Sequence, residues 1–134
     1  MSDYNTQLIE QFRATGGNPT EGMNLLLLHH TGAKSGTERV TPVVYQQLDG
    51  DRVAIFASKA GAPTNPDWFH NLRANPETTI EIGTETKRVR ARVADEAERD
   101  EIWEQQKLDM PQFAGYEETA QGRTIPVVVL EPLG

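Results

Sequence analysis

The sequence predicts an α+β domain in which an antiparallel barrel or sheet carries appended helices. Its candidate strands follow one another as hairpins instead of alternating with helices, which disfavours a doubly wound parallel sheet. Asp49-Gly50, a strong hairpin-turn signal, lies between two of these strands. The 134 residues fit a single domain over residues 1–134, long enough to bury a core without the disulfides that this cysteine-free sequence cannot form.

The first predicted element is an amphipathic helix over residues 4–13, followed by a loop to residue 18. One interpretation is a helix that caps the core, and the other is a weak anchor at a membrane surface. The acids Asp3 and Glu10 offset the single base Arg13, so attraction to anionic lipid would be small and the capping helix is favoured. The apolar residues at helical spacing are Tyr4, Leu8, Ile9 and Phe12.

Three strands are then predicted to form an antiparallel meander, over residues 24–30, 39–48 and 52–58. A glycine-containing turn over residues 31–36 joins the first two strands. Pro42 within the second strand indicates an edge position or a bulge, because proline cannot donate a hydrogen bond to a neighbouring strand.

The second half of the sequence predicts two more helices and three more strands. Asn65 is placed to cap a helix that has Pro66 at its first position and ends at Asn75-Pro76. Asp95, with Glu98 three residues later, resembles a capping box at the start of another helix. The remaining elements are strands over 78–82 and 87–94, the helix from Asp95 to about Asp109, and a last strand over 124–130.

The net charge of −7 arises from one acidic segment. Residues 95–118 carry nine acids against two bases, and the rest of the chain is neutral. Residues 34–92 carry a net charge of +2, because they hold nine bases and seven acids. The acidic balance argues against a broad nucleic-acid surface, and the alternating Arg88, Arg90 and Arg92 are more typical of a solvated or ion-paired strand face.

The sequence lacks the patterns of several common catalytic centres. His29 and His30 are neighbours on a predicted strand and therefore point to opposite faces, so no metal site is expected. No Gly-x-Ser-x-Gly elbow surrounds Ser35 or Ser58, which argues against a serine hydrolase. No apolar run approaches the ~20 residues of a spanning helix and no signal-peptide pattern is present, so a cytoplasmic location is expected.

Two loops carry residues suited to an anionic or flat ligand. The segment 31–39 combines two glycines with Lys34, Ser35 and Arg39, whose donors and charges could hold an anion. An ordinary polar hairpin turn is an equally good interpretation of this segment. Small residues over 57–63 would let a flat ring approach the backbone closely, and the helix that follows would present its N-terminus to an anion.

These loops and their surroundings resemble the deazaflavin-dependent nitroreductase family, whose members bind coenzyme F420. The resemblance runs in order over about 110 residues, and its motifs are specific as a series although each alone is weak. It implies a split β-barrel related to the flavin-binding split barrels. The matching motifs are Thr-Gly-Ala-Lys-Ser-Gly-x-x-Arg (31–39), Val-Thr-Pro-Val-Val-Tyr (40–45), Ala-Ser-Lys-x-Gly-Ala-Pro (57–63), Asn-Pro-Asp-Trp-Phe-His-Asn-Leu-x-Ala-Asn-Pro (65–76) and Arg-Thr-Ile-Pro-Val-Val-Val-Leu-Glu-Pro (123–132).

The resemblance implies a coenzyme site that is distributed over four segments. The turn after the first strand would hold the coenzyme phosphate, and the second strand would run along the cofactor groove. The end of the third strand would pass the deazaflavin ring, and the start of the helix would close the site. The implied cofactor-binding residues are Lys34, Ser35, Gly36, Val40, Thr41, Pro42, Val43, Val44, Tyr45, Phe56, Ala57, Ser58, Lys59, Asp67, Trp68, Phe69, His70 and Asn71.

By the same resemblance, the substrate side is aromatic. Phe113 and Tyr116 match aromatic positions of the family, whereas Met110 stands where members can carry a further tyrosine, a departure that affects substrate identity. The implied reaction is hydride transfer from reduced coenzyme F420 to a quinone, a nitroaromatic or an activated alkene. The catalytic candidates are Tyr45, Ser58 and Tyr116, since any of these hydroxyl groups, or solvent, could supply a proton.

Two alternative functions stay open from the sequence. The first is an FMN-type reductase on the same barrel, and the second is a non-catalytic carrier of a flavin-like or lipid ligand. The expected partner is a small-molecule substrate, with neither nucleic acid nor a membrane-spanning segment. Peripheral contact with the inner face of a membrane and a homo-oligomer are both compatible with the sequence.

Overall fold

The structure is a computed structural model that describes residues 2–16, 24–57, 66–119 and 125–133. Within these ranges it has six strands and four helices. In chain order they are α1 (Ser2–Ala14), β1 (Leu25–Thr31), β2 (Glu38–Gln47), β3 (Val53–Phe56), α2 (Asp67–Ala74), β4 (Glu77–Ile82), β5 (Glu85–Val93), α3 (Glu96–Asp109), α4 (Gln112–Thr119) and β6 (Val127–Pro132).

The six strands form a closed antiparallel barrel in the order β1-β2-β3-β6-β5-β4. The predicted meander is present as β1, β2 and β3, and the Asp49-Gly50 turn joins β2 to β3. The last strand, β6, lies between β3 and β5, and a short pairing of β1 with β4 closes the barrel. The prediction of an antiparallel barrel with appended helices is confirmed.

Side chains of alternate strand residues fill the barrel interior, as in other small barrels. One face of α2 belongs to the same apolar cluster, because Trp68, Phe69 and Leu72 pack among the strand residues and are at most 6% exposed. The helix therefore covers one end of the barrel. This position brings the start of α2 close to the turn between β1 and β2.

Two further apolar clusters lie on the outer face of the barrel. α1 packs on β1 through Phe12, Leu25 and Leu27. The helices α3 and α4 cover the outer face of β3 and β6, so the acidic segment is packed on a different side of the barrel from α1. The members of this second cluster are Ala54, Phe56, Ile102, Trp103, Phe113, Ile125, Val127 and Val129.

α1 is held to the barrel by an apolar contact and a charged one. Phe12 is buried, and Leu8 and Ile9 pack beside it. Arg13 donates two hydrogen bonds to Glu81 on β4, at 3.0 and 2.7 Å, and these bonds hold the pKa of Glu81 below its usual range. The helix thus caps the barrel, as the favoured interpretation predicts. None of the described helices is long and apolar enough to cross a membrane.

Pro42 lies inside a barrel strand at a point where its missing N–H group is not needed. The N–H group of Tyr45 donates to the carbonyl of Asn24 at 3.0 Å. In an antiparallel pair, the N–H groups of alternate residues point to the same neighbour, so the nitrogen of Pro42, three residues away, points away from β1. On that other side, the described pairing of β2 with β3 spans only Tyr45–Gln47. Among the described residues, Pro42 therefore lies at a local edge of β2, which agrees with the expected edge position.

The start of α2 differs from the prediction by one residue. Pro66 is the N-cap, in an extended conformation with φ −69° and ψ 157°, and the helix begins at Asp67. The proline ring fixes φ but leaves ψ free, so proline serves outside the helix as readily as at its first position. The predicted cap, Asn65, lies outside the described residues.

Two predictions for the C-terminal third also need correction. α4 is not predicted from the sequence, because Gln112–Thr119 has no apolar repeat of helical period and contains Gly115. The last strand begins at Val127 instead of residue 124. Ile125 comes before this strand, and its burial against α3 follows from packing that a strand pattern does not encode.

The arginines on the outward face of β5 are engaged by neighbouring side chains. Arg90 and Arg92 form ion pairs, and Arg88 donates to a hydroxyl group. This agrees with the predicted ion-paired strand face, and such exposed pairs add little to stability. The contacts are Arg88 with Thr79, Arg90 with Glu77, and Arg92 with Glu98 and Glu131.

Asp95 caps α3 as predicted, because its Oδ1 accepts a hydrogen bond from the N–H group of Glu98 at 2.9 Å. We expect Asp95→Ala to lower the free energy of unfolding by about 0.5–2 kcal/mol, since this N–H group loses its partner. Urea unfolding followed by circular dichroism measures the change. Glu101→Ala, at an exposed position of the same helix, is the control and should change stability by less than about 0.5 kcal/mol. An equal loss in both variants would contradict the capping role.

Candidate functional site

A cleft of about 600 Å³ lies between the β1–β2 turn and the start of α2. Its wall combines backbone from a glycine turn with two cations and with polar side chains of the helix. Five of its lining residues belong to the predicted cofactor site, and they come from two separate segments of the chain. The lining residues are Gly32, Ala33, Lys34, Ser35, Arg39, Asp67, His70 and Asn71.

The turn over residues 32–36 has a backbone shape that both of its glycines make accessible. The N–H group of Gly36 donates to the carbonyl of Gly32 at 2.9 Å, and the N–H group of Gly32 donates to Thr37 at the same distance. Gly36 has φ 71°, in the left-handed region that favours glycine. A Cβ atom on Gly32 would collide with the hydroxyl of Ser35. The space beside Gly32 is thus filled by Ser35, whereas a Cβ atom on Gly36 would meet nothing within 4 Å, so a ligand can approach the backbone closely at Gly36.

Lys34 and Arg39 give the cleft a positive charge. Both residues are exposed, and within the described ranges neither takes part in an ion pair. Asp67 is the single acid among the lining residues, and the acidic segment 95–118 contributes none. A phosphate or carboxylate entering the cleft would meet two cations that form no ion pair with any acid of the described residues.

A buried pair of polar side chains, His30 and Asn71, lies beneath the turn. They are 3% and 7% exposed, and Asn71 Nδ2 lies 2.9 Å from His30 Nδ1. Asn71 Oδ1 accepts from the N–H group of Ala33 at 2.9 Å. On its other side, His30 Nε2 lies 2.9 Å from Thr41 Oγ1. Burial, aided by the charge of Arg39, lowers the pKa of His30, so its ring is neutral near pH 7.

An aromatic cluster lies outside the barrel, where α3 and α4 cover β3. The ring of Phe113 packs edge-on against Phe56 at 5.4 Å between centroids, and against Tyr116 at 4.9 Å. Trp103 completes the cluster, 5.7 Å from Phe113, and Met110 packs against it. Tyr116 is only half-buried, so the cluster has one partly open side. The three residues predicted to line the substrate space are thus brought together.

Tyr45 lies on the opposite face of this part of the sheet from Tyr116. Tyr45 packs against the cluster inside the barrel, whereas Tyr116 packs against the cluster outside it. Tyr45 and Met110 also line a second cavity, of about 370 Å³, between the end of β2 and the end of α3. The other lining residues of that cavity are Asn24, Gln46, Gln47, Gln105, Gln106 and Asp109.

The remaining implied cofactor residues are spread over the barrel wall. Those on the inner side are buried in the core, so they would shape the cleft by holding β2, β3 and α2 in place. Ser58 and Lys59 lie outside the described residues. The residues inside the barrel are Val43, Ala57, Trp68 and Phe69. Val40 and Val44 face outward towards α1, and Phe56 belongs to the aromatic cluster. Thr41 contacts His30, and Gly36 and Pro42 have the backbone positions given above.

His30 is not among the residues that the sequence predicts for the site. A usable signal is present, since His30 stands at the end of a buried apolar strand and directly before the glycine turn. A buried polar side chain requires a partner, which makes contact with a nearby functional loop a reasonable hypothesis. The identity of that partner, Asn71, is not readable from the sequence because 41 positions separate the two residues.

Comparison with known proteins extends the resemblance to almost the whole chain. Residues 2–132 match the F420H(2)-dependent quinone reductases. The chain belongs to this family. One member of the F420H(2)-dependent quinone reductases, from Mycobacterium tuberculosis, is 39% identical over 108 residues, which cover 78% of this chain and 71% of that protein.

Two solved structures share the fold of this chain. An F420-H2 dependent reductase known as FDR-A superposes with a TM-score of 0.71 at 33% identity, over 80% of this chain and 93% of that one. A second chain, described as a domain-swapped dimer, superposes with a TM-score of 0.73 at 31% identity, over 94% and 93% of the two chains. The predicted resemblance, the barrel fold and membership of an oxidoreductase family that depends on reduced F420 are confirmed.

The cleft fits the coenzyme of the F420H(2)-dependent quinone reductases. Coenzyme F420 carries a flat ring, a phosphate and a glutamate tail, so its binding site needs cations and close backbone approach. Lys34 and Arg39 meet the first need, and the glycine turn over residues 32–36 meets the second. The residues present are thus of the kinds that this coenzyme requires.

Proposed function

We propose that this chain transfers a hydride from reduced coenzyme F420 to a quinone, with the anionic part of the coenzyme in the cleft between the β1–β2 turn and α2. Nitroaromatics and activated alkenes are further acceptors within the same proposal. The observation that carries it is the pair Lys34 and Arg39 beside a glycine turn, both without an ion-pair partner among the described residues, in a chain of the F420H(2)-dependent quinone reductases.

The residues of the turn have separate roles in this proposal. Lys34 and Arg39 would pair with the phosphate and with carboxylates of the tail. Ser35 Oγ accepts a hydrogen bond from the N–H group of Thr37 at 3.2 Å, so its own hydroxyl hydrogen is available to an anion. The N-terminal end of α2, which carries Asp67, would add a weaker attraction from its backbone N–H groups.

The aromatic cluster would form the wall of the acceptor site. Reduced F420, when bound, supplies the hydride. This chain would supply the half-buried ring of Tyr116, backed by the buried rings of Phe56 and Phe113, as a surface against which a flat acceptor can pack and from which water is excluded. Met110 would border the same surface, and its flexible side chain would adapt to acceptors of different width.

Tyr116 is the proposed proton source for the reduced acceptor. Hydride addition to a quinone leaves an oxygen anion, which takes up a proton in the same or a following step. The hydroxyl of Tyr116 is suited to donate it, because its ring packs on Phe113 in the acceptor wall. Tyr45 and Ser58 remain candidates, as does solvent.

Oxidation of reduced F420 by menadione tests the proposed function. We expect the reduced coenzyme to disappear only when both the protein and menadione are present, and we expect FMN not to displace the coenzyme in a competitive titration. Tighter binding of FMN would indicate an FMN-type reductase. Binding of reduced F420 without oxidation by any quinone, nitro compound or enone would indicate a carrier.

Substitution of Tyr116 separates the acceptor wall from the coenzyme site. We expect Tyr116→Ala to lower kcat/KM for menadione by at least about tenfold, because packing surface and a proton donor are lost together. The dissociation constant of the coenzyme should stay close to that of the wild type. Tyr116→Phe is the matched control because it keeps the ring. It should lose only the part of kcat/KM for menadione that depends on the hydroxyl group. A large change in coenzyme affinity with turnover preserved would move Tyr116 into the cofactor site.

The proposal extends to assembly and location. A homo-oligomer is supported by the related chain that is described as a domain-swapped dimer. Size-exclusion chromatography with light scattering measures the mass of the assembly. The proposed location is the cytoplasm, and peripheral contact at the inner face of a membrane is the alternative. Cell fractionation with and without a salt wash distinguishes a loosely attached pool from one that is never attached.

A further inference from the structure

We propose that His30 is a positioning residue for coenzyme binding. Through Asn71 it fixes the N–H group of Ala33, and with it the turn over residues 32–36, in the shape that receives the coenzyme phosphate. His30 does not line the cleft, so it acts through Asn71 and not by direct contact. The inference rests on the proposed function, because that proposal assigns this turn to the coenzyme.

The hydrogen-bond roles in this network follow from one group whose role is fixed. The N–H group of Ala33 can only donate, so the atom of Asn71 that faces it is the oxygen Oδ1. The amide nitrogen of Asn71 therefore faces His30 and donates to ring atom Nδ1. Nδ1 must carry a lone pair, which places the ring proton on Nε2, where it is donated to Thr41 Oγ1. Each ring nitrogen of His30 thus has one defined partner.

The network is rigid because it is buried. His30 and Asn71 lie on β1 and α2, two elements that pack directly against each other. A buried donor that loses its acceptor pays a desolvation cost that an exposed one avoids. The Ala33 N–H group is therefore held against α2 only while Asn71 presents its oxygen, and Asn71 presents its oxygen only while His30 Nδ1 accepts.

Protonation of His30 would break this arrangement. A proton on Nδ1 sets two donors, the ring N–H group and the Asn71 amide, against each other. If the Asn71 amide rotates to offer its oxygen to His30, its NH₂ group then faces the N–H group of Ala33. Either state leaves a buried donor unpaired, so the turn loses its anchor.

Burial and the charges around His30 set the pH at which its ring takes up a proton. Arg39 on β2 and His29 on β1 disfavour the charged ring, whereas Asp67 on α2 favours it. Burial is the largest influence, and the pKa of His30 lies below its usual value of about 6.5. The unfolded chain binds this proton more readily than the folded one, so the free energy of unfolding falls as the pH falls from about 6.5 towards the lower pKa of folded His30. Coenzyme affinity should fall with it.

The test compares His30→Asn with His29→Asn across about pH 4.5 to 7.5, a window that extends well below the usual histidine pKa of about 6.5 because the pKa of folded His30 is lowered. An asparagine at position 30 keeps an oxygen near the place of Nδ1 but cannot titrate. His29 points to the opposite face, where it lies 2.8 Å from Glu81, so its variant controls for the loss of one imidazole. His30→Ala, which offers no acceptor at all, should weaken coenzyme binding by roughly five- to a hundredfold at neutral pH.

Two measurements are made on each protein. The first is the dissociation constant of F420 against pH. We expect the wild type and His29→Asn to bind more weakly as the pH falls, and His30→Asn to have a flatter profile, while any titration of the coenzyme appears in all three. The second is made without coenzyme: imidazole ¹⁵N spectra should show Nδ1 of His30 unprotonated, and the Ala33 amide should exchange at least about tenfold faster in His30→Ala.

The outcomes separate this inference from the function on which it rests. If Lys34→Ala weakens binding but His30→Asn has the affinity and pH profile of the wild type, the positioning role is wrong and the cleft assignment stands. If Lys34→Ala leaves coenzyme affinity unchanged, the cleft assignment itself is wrong. A proton found on Nδ1 at neutral pH, or an Ala33 exchange rate that His30→Ala does not change, would overturn the network directly.

Discussion

Replacement of both Lys34 and Arg39 by alanine is expected to weaken F420 binding by at least about a hundredfold. A hydrogen bond to a charged group contributes about 1.5–3 kcal/mol, and the two cations would each lose at least one such bond. Each single variant should lose roughly tenfold or more. Both cations line the cleft, and neither has an ion-pair partner among the described residues. No acid of those residues therefore competes with the coenzyme for them. A fluorescence titration of the coenzyme measures the loss.

A variant that removes the same charge elsewhere provides the control. Arg88→Ala with Arg90→Ala also removes two positive charges, from the exposed face of β5 and outside the cleft. If binding depends on net charge alone, both double variants should lose affinity equally, and the cleft assignment fails. If the cleft binds the anion, the Arg88 and Arg90 variant stays close to the wild type. Raising the ionic strength should weaken wild-type binding much more than that of the Lys34 and Arg39 variant.

Trp68→Ala is expected to cost about 3–5 kcal/mol of the free energy of unfolding, the largest loss of stability that we predict. Trp68 is implied as a cofactor residue by resemblance, but its side chain is 6% exposed and packs in the barrel core. Removal of the indole leaves a cavity under α2, at the end of the barrel that this helix covers. Chemical unfolding of the coenzyme-free protein measures the effect without reference to activity.

Two control variants are compared with Trp68→Ala in the unfolding measurement. Trp68→Phe keeps an aromatic ring in the core and should lose clearly less stability than Trp68→Ala. Leu108→Ala removes an apolar side chain that is 77% exposed on α3, and it should change stability by less than about 0.5 kcal/mol. A Trp68→Ala protein that unfolds like the wild type but binds F420 weakly would place this side chain in the cofactor site instead of the core.

The strands could be predicted because their signals are local. Alternating residues and the Asp49-Gly50 turn define β2 and β3, and the apolar run before the glycine turn defines β1. The capping box at Asp95 is equally local, and it gives the start of α3 correctly. α4 has no such signal, because its buried residue Phe113 is held by contacts with Phe56 and Trp103 on other elements.

Part of the candidate site could likewise be predicted from local sequence, and part depends on tertiary contacts. Lys34 and Ser35 follow from the turn motif and its resemblance, and the structure brings them into one cleft with Asp67, His70 and Asn71. The spacing of α2 could not show which of its residues face the core, since a ligand-facing aromatic and a buried one have the same pattern.

Pro42 has a consequence for how this protein behaves among other chains. A strand edge without a neighbour can template the addition of a foreign strand, and this is a route to aggregation. Along the part of β2 that is described as paired only with β1, proline removes the N–H group that an added strand would need. A substitution such as Pro42→Val would restore that donor. The proline thus makes this part of β2 a poor acceptor for an added strand, which lowers the risk of self-association there.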